Sequence, residues 1–204
     1  LLQKALEIQN KNKVIIKIPN TNSNIKIIEE GLAKAKRNLA DKISKNSNVK
    51  QLHSQIKKKF NLSKNITKIE VYDNSHYSGK EAVGSYIVAD LNGFIKKEYR
   101  KFNIKEAATN DDYGMMKEVL KRRFKSQEYQ AFPDLVVIDG GLGQLSMARL
   151  TFEELNIQSV NLIAISKGKL RNSENEIFYN VKGEKILIKK SEPLFYYMLR
   201  LRDE

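Results

Sequence analysis

Two aspartates in this sequence stand where apolar runs typical of β-strands end. Asp73 follows the run at 69–72, and Asp139 follows the run at 135–138. A strand that ends at an acidic residue and a turn places a carboxylate at the edge of a sheet. Two such strands side by side bring two carboxylates together, and these hard oxygen ligands suit Mg²⁺ or Mn²⁺. The pattern therefore predicts a divalent cation site between Asp73 and Asp139.

Small and polar residues follow both aspartates. Ser75 and His76 come after Asp73. The histidine could orient Asp73, bind a metal or complete a turn. Gly140 and Gly141 follow the second and permit a phosphate to approach the backbone, or simply allow the chain to turn. The glycine run matches neither a Walker A loop nor a dinucleotide-binding fingerprint. Both aspartates have a plain alternative as turn or cap residues.

A third acidic position opens a predicted helix. Asp111 and Asp112 precede a run with apolar residues at helical spacing. Acidic residues at the start of a helix are favourable capping and dipole partners, which is a sufficient structural explanation. We expect Asp111 to cap the helix and Asp112 to point at the site as a third acid.

Basic residues near these acids are candidates for contacts with a phosphate backbone. Two end the same predicted helix, where they also complement its dipole. Three others follow a later strand. These candidates are Arg122, Arg123, Lys167, Lys169 and Arg171.

Composition supports a nucleic-acid partner. The 204 residues include 37 Lys and Arg against 24 Asp and Glu, a net charge of +13. Such an excess gives sequence-independent affinity for phosphate backbones, although a lysine-rich surface can also reflect biased composition.

The absence of cysteine excludes disulfides and thiolate metal sites, and two histidines supply a zinc site poorly. Without a membrane-length apolar run or an initial Met, the sequence is expected to be a piece of a longer soluble, cytoplasmic protein.

The order of predicted elements indicates the fold. Residues 1–65 form an N-terminal extension with a short strand at 13–18 and a charged helical stretch at 27–62. Residues 66–204 alternate strands and helices, with helices expected from Asp111, after the glycine run and from Pro193. The strands are predicted at 69–73, 83–90, 94–102, 135–139 and 160–165, followed by a hairpin at 176–188. This order predicts an α/β, ribonuclease H-like mixed five-stranded sheet with flanking helices.

Several ordered motifs resemble one known family. These are Asp-Asn-Ser-His at 73–76, Asn-Asp-Asp-Tyr-Gly-Met-Met at 110–116, the stretch at 133–145, Ile-Ala-Ile-Ser-Lys-Gly at 163–168 and Leu-Arg-Leu-Arg-Asp-Glu at 199–204. They are similar to the C-terminal nuclease domain of UvrC, the incision subunit of bacterial nucleotide excision repair. The resemblance covers roughly residues 66–204.

The resemblance implies a ribonuclease H-like endonuclease that cuts DNA 5′ to a lesion with Mg²⁺ or Mn²⁺. It implies that Asp73 and Asp139 are metal-binding catalytic acids and that Asp112 takes part in incision. A catalytic histidine is expected beyond Glu204, so this stretch alone is expected to cleave DNA weakly or not at all. The implied partners are lesion-containing duplex DNA and UvrB, with UvrA reached indirectly, mostly through regions outside this sequence.

Two other interpretations remain open at this stage. A ribonuclease H-like scaffold could bind nucleic acid without catalysis, with structural acids and no metal dependence. A phosphate-binding α/β enzyme acting on nucleotides is disfavoured because the usual phosphate-loop motifs are absent. Binding of Mn²⁺ between the two aspartates distinguishes the nuclease from the scaffold.

Overall fold

The computed structural model describes residues 2–16, 22–45, 48–77, 81–108, 110–125, 131–168 and 176–204. The chain divides into two compact units, Leu1–Leu39 and Ala40–Glu204. The first unit contains α1 (Leu2–Asn10) and most of α2 (Asn22–Lys45). Within the described ranges, no helix combines the length and the apolar character that a membrane span requires.

The strand predicted at 13–18 does not form in residues 13–16, and 17–18 lie outside the described residues. The Val14 amide donates instead to Glu7 Oε1 of α1 at 3.3 Å. A short apolar run with no neighbouring strand has nothing to pair its backbone with, which explains the error. The helical stretch at 27–62 is present as α2 and α3 (Val49–Lys59), where Asn48 caps α3 by accepting from the Lys50 amide at 3.0 Å.

A mixed sheet organises the second unit. The mixed α/β fold is confirmed, but the described residues form eight strands rather than five. They are β1 (Ile69–Tyr77), β2 (Glu81–Asp90), β3 (Gly93–Phe94), β4 (Arg100–Asn103), β5 (Leu135–Asp139), β6 (Asn161–Ser166), β7 (Ile177–Asn180) and β8 (Lys185–Ile186). The order of the strands in the sheet is β3-β2-β1-β5-β6-β7-β8, and β4 also pairs with β2. Strands β1, β5 and β6 are parallel, whereas the remaining pairs are antiparallel.

The larger strand count has two causes. The predicted hairpin joins the sheet as β7 and β8, and the strand predicted at 94–102 is broken by a 3₁₀ helix at Lys96–Glu98. The Arg100 guanidinium donates to the carbonyls of Lys97 and Tyr99 at 2.9 and 2.8 Å, which stabilises a turn at this place. The charged segment around the break offers no apolar alternation to hold an extended strand.

Helices cover both faces of the sheet. One face packs against α3 and α6 (Pro193–Asp203), and the other packs against α4 (Asp112–Lys125) and α5 (Leu142–Glu154). Alternation along β5 supplies both cores, since Val137 belongs to the α3/α6 side and Val136 to the α4/α5 side. The division expected between residues 65 and 66 stays a prediction. In the structure α3 precedes it and buries Leu52 and Ile56 in the same core as β1.

A glycine on β2 allows α4 to lie close to the sheet. A Cβ atom at Gly84 would overlap Val119 Cγ2 of α4 and lie 2.9 Å from Asn74 Oδ1 on β1. Gly84 is paired with Asn74 in the β1–β2 register. The absence of a side chain at this position therefore sets how near α4 packs to the two strands.

Candidate active site

The two aspartates lie side by side at the carboxyl edge of the sheet. Tyr72 of β1 and Ile138 of β5 are register partners, and Asp73 and Asp139 are the next residues on these parallel strands. Neighbouring strands are about 4.8 Å apart. Val71 and Val137, two residues earlier, belong to the core beneath α6, so alternation directs both carboxylates to the α6 face.

The electrostatics of the pair reflect this proximity. Burial and the negative charge of Asp73 raise the pKa of Asp139 to about 6. Burial also raises the pKa of Asp73. Lys167, just beyond β6, lowers the pKa of each aspartate. The two carboxylates thus form an acidic pair with one ammonium group close by, an arrangement whose repulsion a bound cation would relieve.

The end of α6 reaches the same place. Arg202 lowers the pKa of Asp139, while Asp203 raises it. Arg202 Nη1 forms an ion pair with Glu176 Oε2 at 2.5 Å. Arg202 Nη2 donates to Asp203 Oδ1 at 2.8 Å. No local sequence pattern indicates that these residues are at the site, because only the fold brings α6 to the end of β5.

The two aspartates at the start of α4, Asp111 and Asp112, have different surroundings. Asp111 Oδ1 accepts from the Gly114 amide at 2.9 Å, which confirms the predicted cap. Asp112 lies at the start of a helix on the α4/α5 face, where its carbonyl accepts from Asn74 Nδ2 at 3.4 Å. The catalytic role of Asp112 stays a prediction.

A buried glutamate in α4 fixes the segment that leads to these acids. Burial alone would raise the pKa of Glu118. The backbone amides of Lys105, Glu106 and Ala107 donate to its carboxylate at 2.9, 2.8 and 3.1 Å and hold the pKa below its usual value. Sequence reasoning missed Glu118, because an acidic residue in an amphipathic helix ordinarily faces solvent.

A cleft of about 330 Å³ opens between the beginnings of α4 and α5. Gly140 and Gly141 connect Asp139 to it, and the Gly140 amide donates to the Ile165 carbonyl of β6 at 2.9 Å. The carboxylates of Asp73 and Asp139 do not line the cleft, so it lies beside the pair across the sheet edge. Its lining residues are Asn110, Asp111, Asp112, Tyr113, Gly141, Gly143 and Gln144.

The prediction that Arg123 contacts DNA is wrong. Its side chain is 2% exposed, and Nη2 lies 2.8 Å from Glu70 Oε1 in the interior. Arg122 is partly exposed and donates to the Asn103 carbonyl at 2.7 Å and to Glu118 at 3.2 Å. A charge already committed to a buried partner cannot reach a phosphate backbone, whereas Arg122 retains an exposed surface.

Four other predicted residues are only partly covered by the structure. Lys169 and Arg171 lie outside the described residues. Ser75 and His76 belong to β1, but their side chains are also outside the described part of the chain. Their roles stay predictions.

The donor set at the carboxylate pair fits a divalent cation. Two neighbouring carboxylates supply hard oxygen ligands, and water or phosphate oxygens can complete the shell. Within the described residues, no group of three or more histidine and acidic side chains assembles a fuller metal site.

Comparison with known proteins gives a family match. Residues 57–204 match the family model described as the UvrC RNAse H endonuclease domain. The whole chain is 39% identical to UvrABC system protein C of Maricaulis maris and covers 34% of it. It is 36% identical to the protein of the same name from Bradyrhizobium diazoefficiens and covers 32% of that protein. The chain thus spans about a third of these curated relatives.

Solved structures offer weaker likeness. An endonuclease V from Ciona intestinalis, crystallised with an inosine-containing DNA, is 13% identical with a TM-score of 0.38. That alignment covers 74% of this chain and 60% of the other. The catalytic domain of human endonuclease V is 12% identical with a TM-score of 0.37, over 59% and 60% of the two chains. Scores this low carry no argument about this chain.

Proposed function

The chain belongs to the family of the UvrC RNase H endonuclease domain, and from this membership we propose that it hydrolyses a phosphodiester of damaged DNA 5′ to the lesion, using Mg²⁺ or Mn²⁺. The relatives are named as parts of the UvrABC system. Because the chain spans about a third of them, the substrate and partners of the whole protein are part of this proposal.

One observation carries the proposal. Asp73 and Asp139 end neighbouring parallel strands at one sheet edge, and the charge of one raises the pKa of the other. Repulsion between two partly buried carboxylates is unfavourable for folding, and structural acids would gain nothing from this arrangement. A site that binds a cation gains from it, which is why we assign the pair a metal-binding role.

The residues divide the chemistry between them. A cation held by Asp73 and Asp139 would polarise the scissile phosphate and lower the pKa of a bound water. Lys167 presents its ammonium group next to the pair and binds a non-bridging phosphate oxygen. Asp112 acts as a third acid from the cleft side of the sheet edge.

Further contacts position the substrate and its partners. The supporting residues Ser75, His76, Gly140 and Gly141 shape the surroundings of the two acids. Contacts to the phosphate backbone come from Lys167, Lys169, Arg171 and Arg122, without reading of bases. The partners are lesion-containing duplex DNA, UvrB and indirectly UvrA.

The test uses the full-length protein with Asp73→Asn and Asp139→Asn, each near-isosteric. Both variants are expected to lose 5′ incision by at least about a hundredfold while binding damaged DNA as before. Glu153→Gln, an exposed acid on α5, is the matched control and should cut normally. Normal incision by both aspartate variants would contradict the assignment of Asp73 and Asp139 as catalytic acids.

A metal-binding measurement separates this proposal from a non-catalytic nucleic-acid-binding scaffold. Electron paramagnetic resonance of Mn²⁺ titrated with the 204-residue chain should show bound ion, and either asparagine variant should lose it. If DNA binding persists with no Mn²⁺ bound by the parent chain, the scaffold is the better description.

A further inference from the structure

Tyr113 is an exposed aromatic residue at the entrance of the cleft between α4 and α5. It lies in the first turn of α4, lines the cleft and is 51% exposed. Its exposed ring at the mouth of the cleft is accessible to a ligand that enters there. The mechanism above does not use this residue.

The ring is held in place by a glycine. A Cβ atom at Gly143 would lie 2.6 Å from both Cε1 and Cζ of Tyr113 and closer still to its hydroxyl. The ring therefore packs directly on the backbone at the start of α5. This contact restrains the tyrosine, while about half of its surface stays exposed. A restrained, half-exposed ring is suited to stacking against a flat partner.

The size and the charge of the cleft narrow the choice of partner. Its volume of about 330 Å³ is at the lower end of small-ligand sites, which suits one nucleotide unit. Asp111 and Asp112 are in its wall, and their charge disfavours a phosphate inside. A neutral base escapes that repulsion, and its amino or ring N–H groups can donate to polar atoms of the lining.

The position of the cleft connects it to the proposed cleavage site. Only Gly140 separates Asp139 from Gly141, which is part of the cleft lining. On the neighbouring strand, Asn74 follows Asp73 and contacts the carbonyl of Asp112 at 3.4 Å. The cleft and the two carboxylates therefore lie at the same edge of the sheet, the cleft on the α4/α5 face and the carboxylates on the α6 face.

We propose that the cleft receives one unstacked nucleobase of the DNA, which stacks on the Tyr113 ring while the adjoining phosphate lies at Asp73 and Asp139. This inference rests on the proposed function for the identity of the ligand as DNA. It adds a base-binding site and a role for Tyr113 and Gly143 that phosphodiester hydrolysis does not require. Stacking on an aromatic side chain changes affinity by about five- to hundredfold per base.

The test measures stacking without cleavage. Single-stranded oligonucleotides carrying 2-aminopurine are titrated with the 204-residue chain in the presence of a chelator, and the fluorescence and anisotropy are recorded. Stacking on tyrosine is expected to quench the fluorescence of the bound oligonucleotide. Tyr113→Phe retains the ring and should retain the quenching. Tyr113→Leu should lose it and weaken binding about five- to hundredfold.

Two further variants make the result specific. Gly143→Ala keeps the tyrosine but displaces its ring, so it should reduce quenching as Tyr113→Leu does. Phe132→Leu is the matched control: this aromatic is 42% exposed, but it precedes the opposite end of β5 and packs on Phe124. It should bind and quench like the parent. Circular dichroism confirms that each variant is folded.

The outcomes separate this inference from the nuclease proposal. Undiminished quenching by folded Tyr113→Leu, or no quenching by the parent chain, overturns the base-binding site and leaves the assignment of Asp73 and Asp139 intact. A purely structural role for Tyr113 would lower the unfolding temperature without changing the quenching, and would also overturn it. Glu153→Gln, the control of the incision test, is exposed on α5 and should quench like the parent.

Discussion

Asp134 and Asp139 lie at opposite ends of β5, and their pKa values are shifted in opposite directions. Burial would raise the pKa of Asp134. The Thr67 hydroxyl and amide and the Lys68 amide donate to its Oδ2 at 2.6, 2.8 and 3.0 Å and lower it instead. Asp139 has a pKa of about 6 because burial and Asp73 both oppose its charge. One carboxylate therefore stabilises the fold, whereas the other destabilises it.

Replacing Asp139 should stabilise the metal-free protein. Its raised pKa means that the folded state holds more protons than the unfolded state between about pH 4 and 6, so the unfolding free energy falls as pH rises through that window. Asp139→Asn removes the charge and should add about 1 kcal/mol at pH 7, after discounting for partial exposure, and nothing near pH 4. Urea unfolding with a chelator at both pH values measures this. An equal or lower stability at pH 7 would contradict it.

Replacing Asp134 should have the reverse effect. Its lowered pKa contributes stability above about pH 4, and this contribution is lost as pH falls through the lowered pKa. Asp134→Asn should lower the unfolding free energy at pH 7 by about 1–2 kcal/mol, because charged acceptors form the stronger hydrogen bonds. The difference from the parent should shrink toward pH 3. Thr67→Val, which removes one donor, should show a smaller loss, and urea unfolding across pH measures both.

The ion pair between Glu70 and Arg123 should be essential for stability. Their side chains are 1% and 2% exposed, and Tyr72 also donates to Glu70 at 2.5 Å. Glu70→Ala leaves a buried guanidinium without this partner and should cost about 3–5 kcal/mol. Unfolding in guanidinium chloride measures this loss of unfolding free energy. The double variant Glu70→Leu with Arg123→Leu should be more stable than Glu70→Ala. If the double variant is less stable, the attraction between the two charges exceeds the free-energy cost of burying them.

A buried histidine should make the fold sensitive to acid. The Ile66 carbonyl can only accept, so His53 donates from Nδ1 at 3.1 Å; in the neutral ring, Nε2 then accepts from the Tyr197 hydroxyl at 2.7 Å. Burial lowers the pKa of His53. The unfolded state binds the proton more readily, so the unfolding free energy should fall as pH drops below about 6.5. His53→Gln should remove this dependence in urea unfolding from pH 7 to 5. A variant with the parent's slope would contradict the assignment.

The parts of the fold that depend on local pattern could be predicted from the sequence. β5 is a continuous apolar run buried on both faces, and its bounds match the prediction. The meeting of Asp73 and Asp139 was predictable as well, because parallel strands end at the same edge of a sheet.

Features that depend on distant partners could not be predicted. Arg123 is buried because Glu70, 53 residues away, neutralises it, and no local pattern indicates such a pair. Asp112 lies on the cleft side of the sheet because α4 packs on that face, a choice its own sequence does not encode. Arg202 and Asp203 reach Asp139 only through the path of α6.

The missing side chain at Gly84 has a consequence for the cleft. Adding one methyl group there would press on Val119 and lift α4 from β1 and β2, and Tyr113 and Asp112 would move with their helix. The width of the opening is thus governed by a residue on the strand behind it. An alanine at this position would change the width of the mouth while every group that lines it kept its chemical identity, so the shape of the cleft can be varied without changing its chemistry.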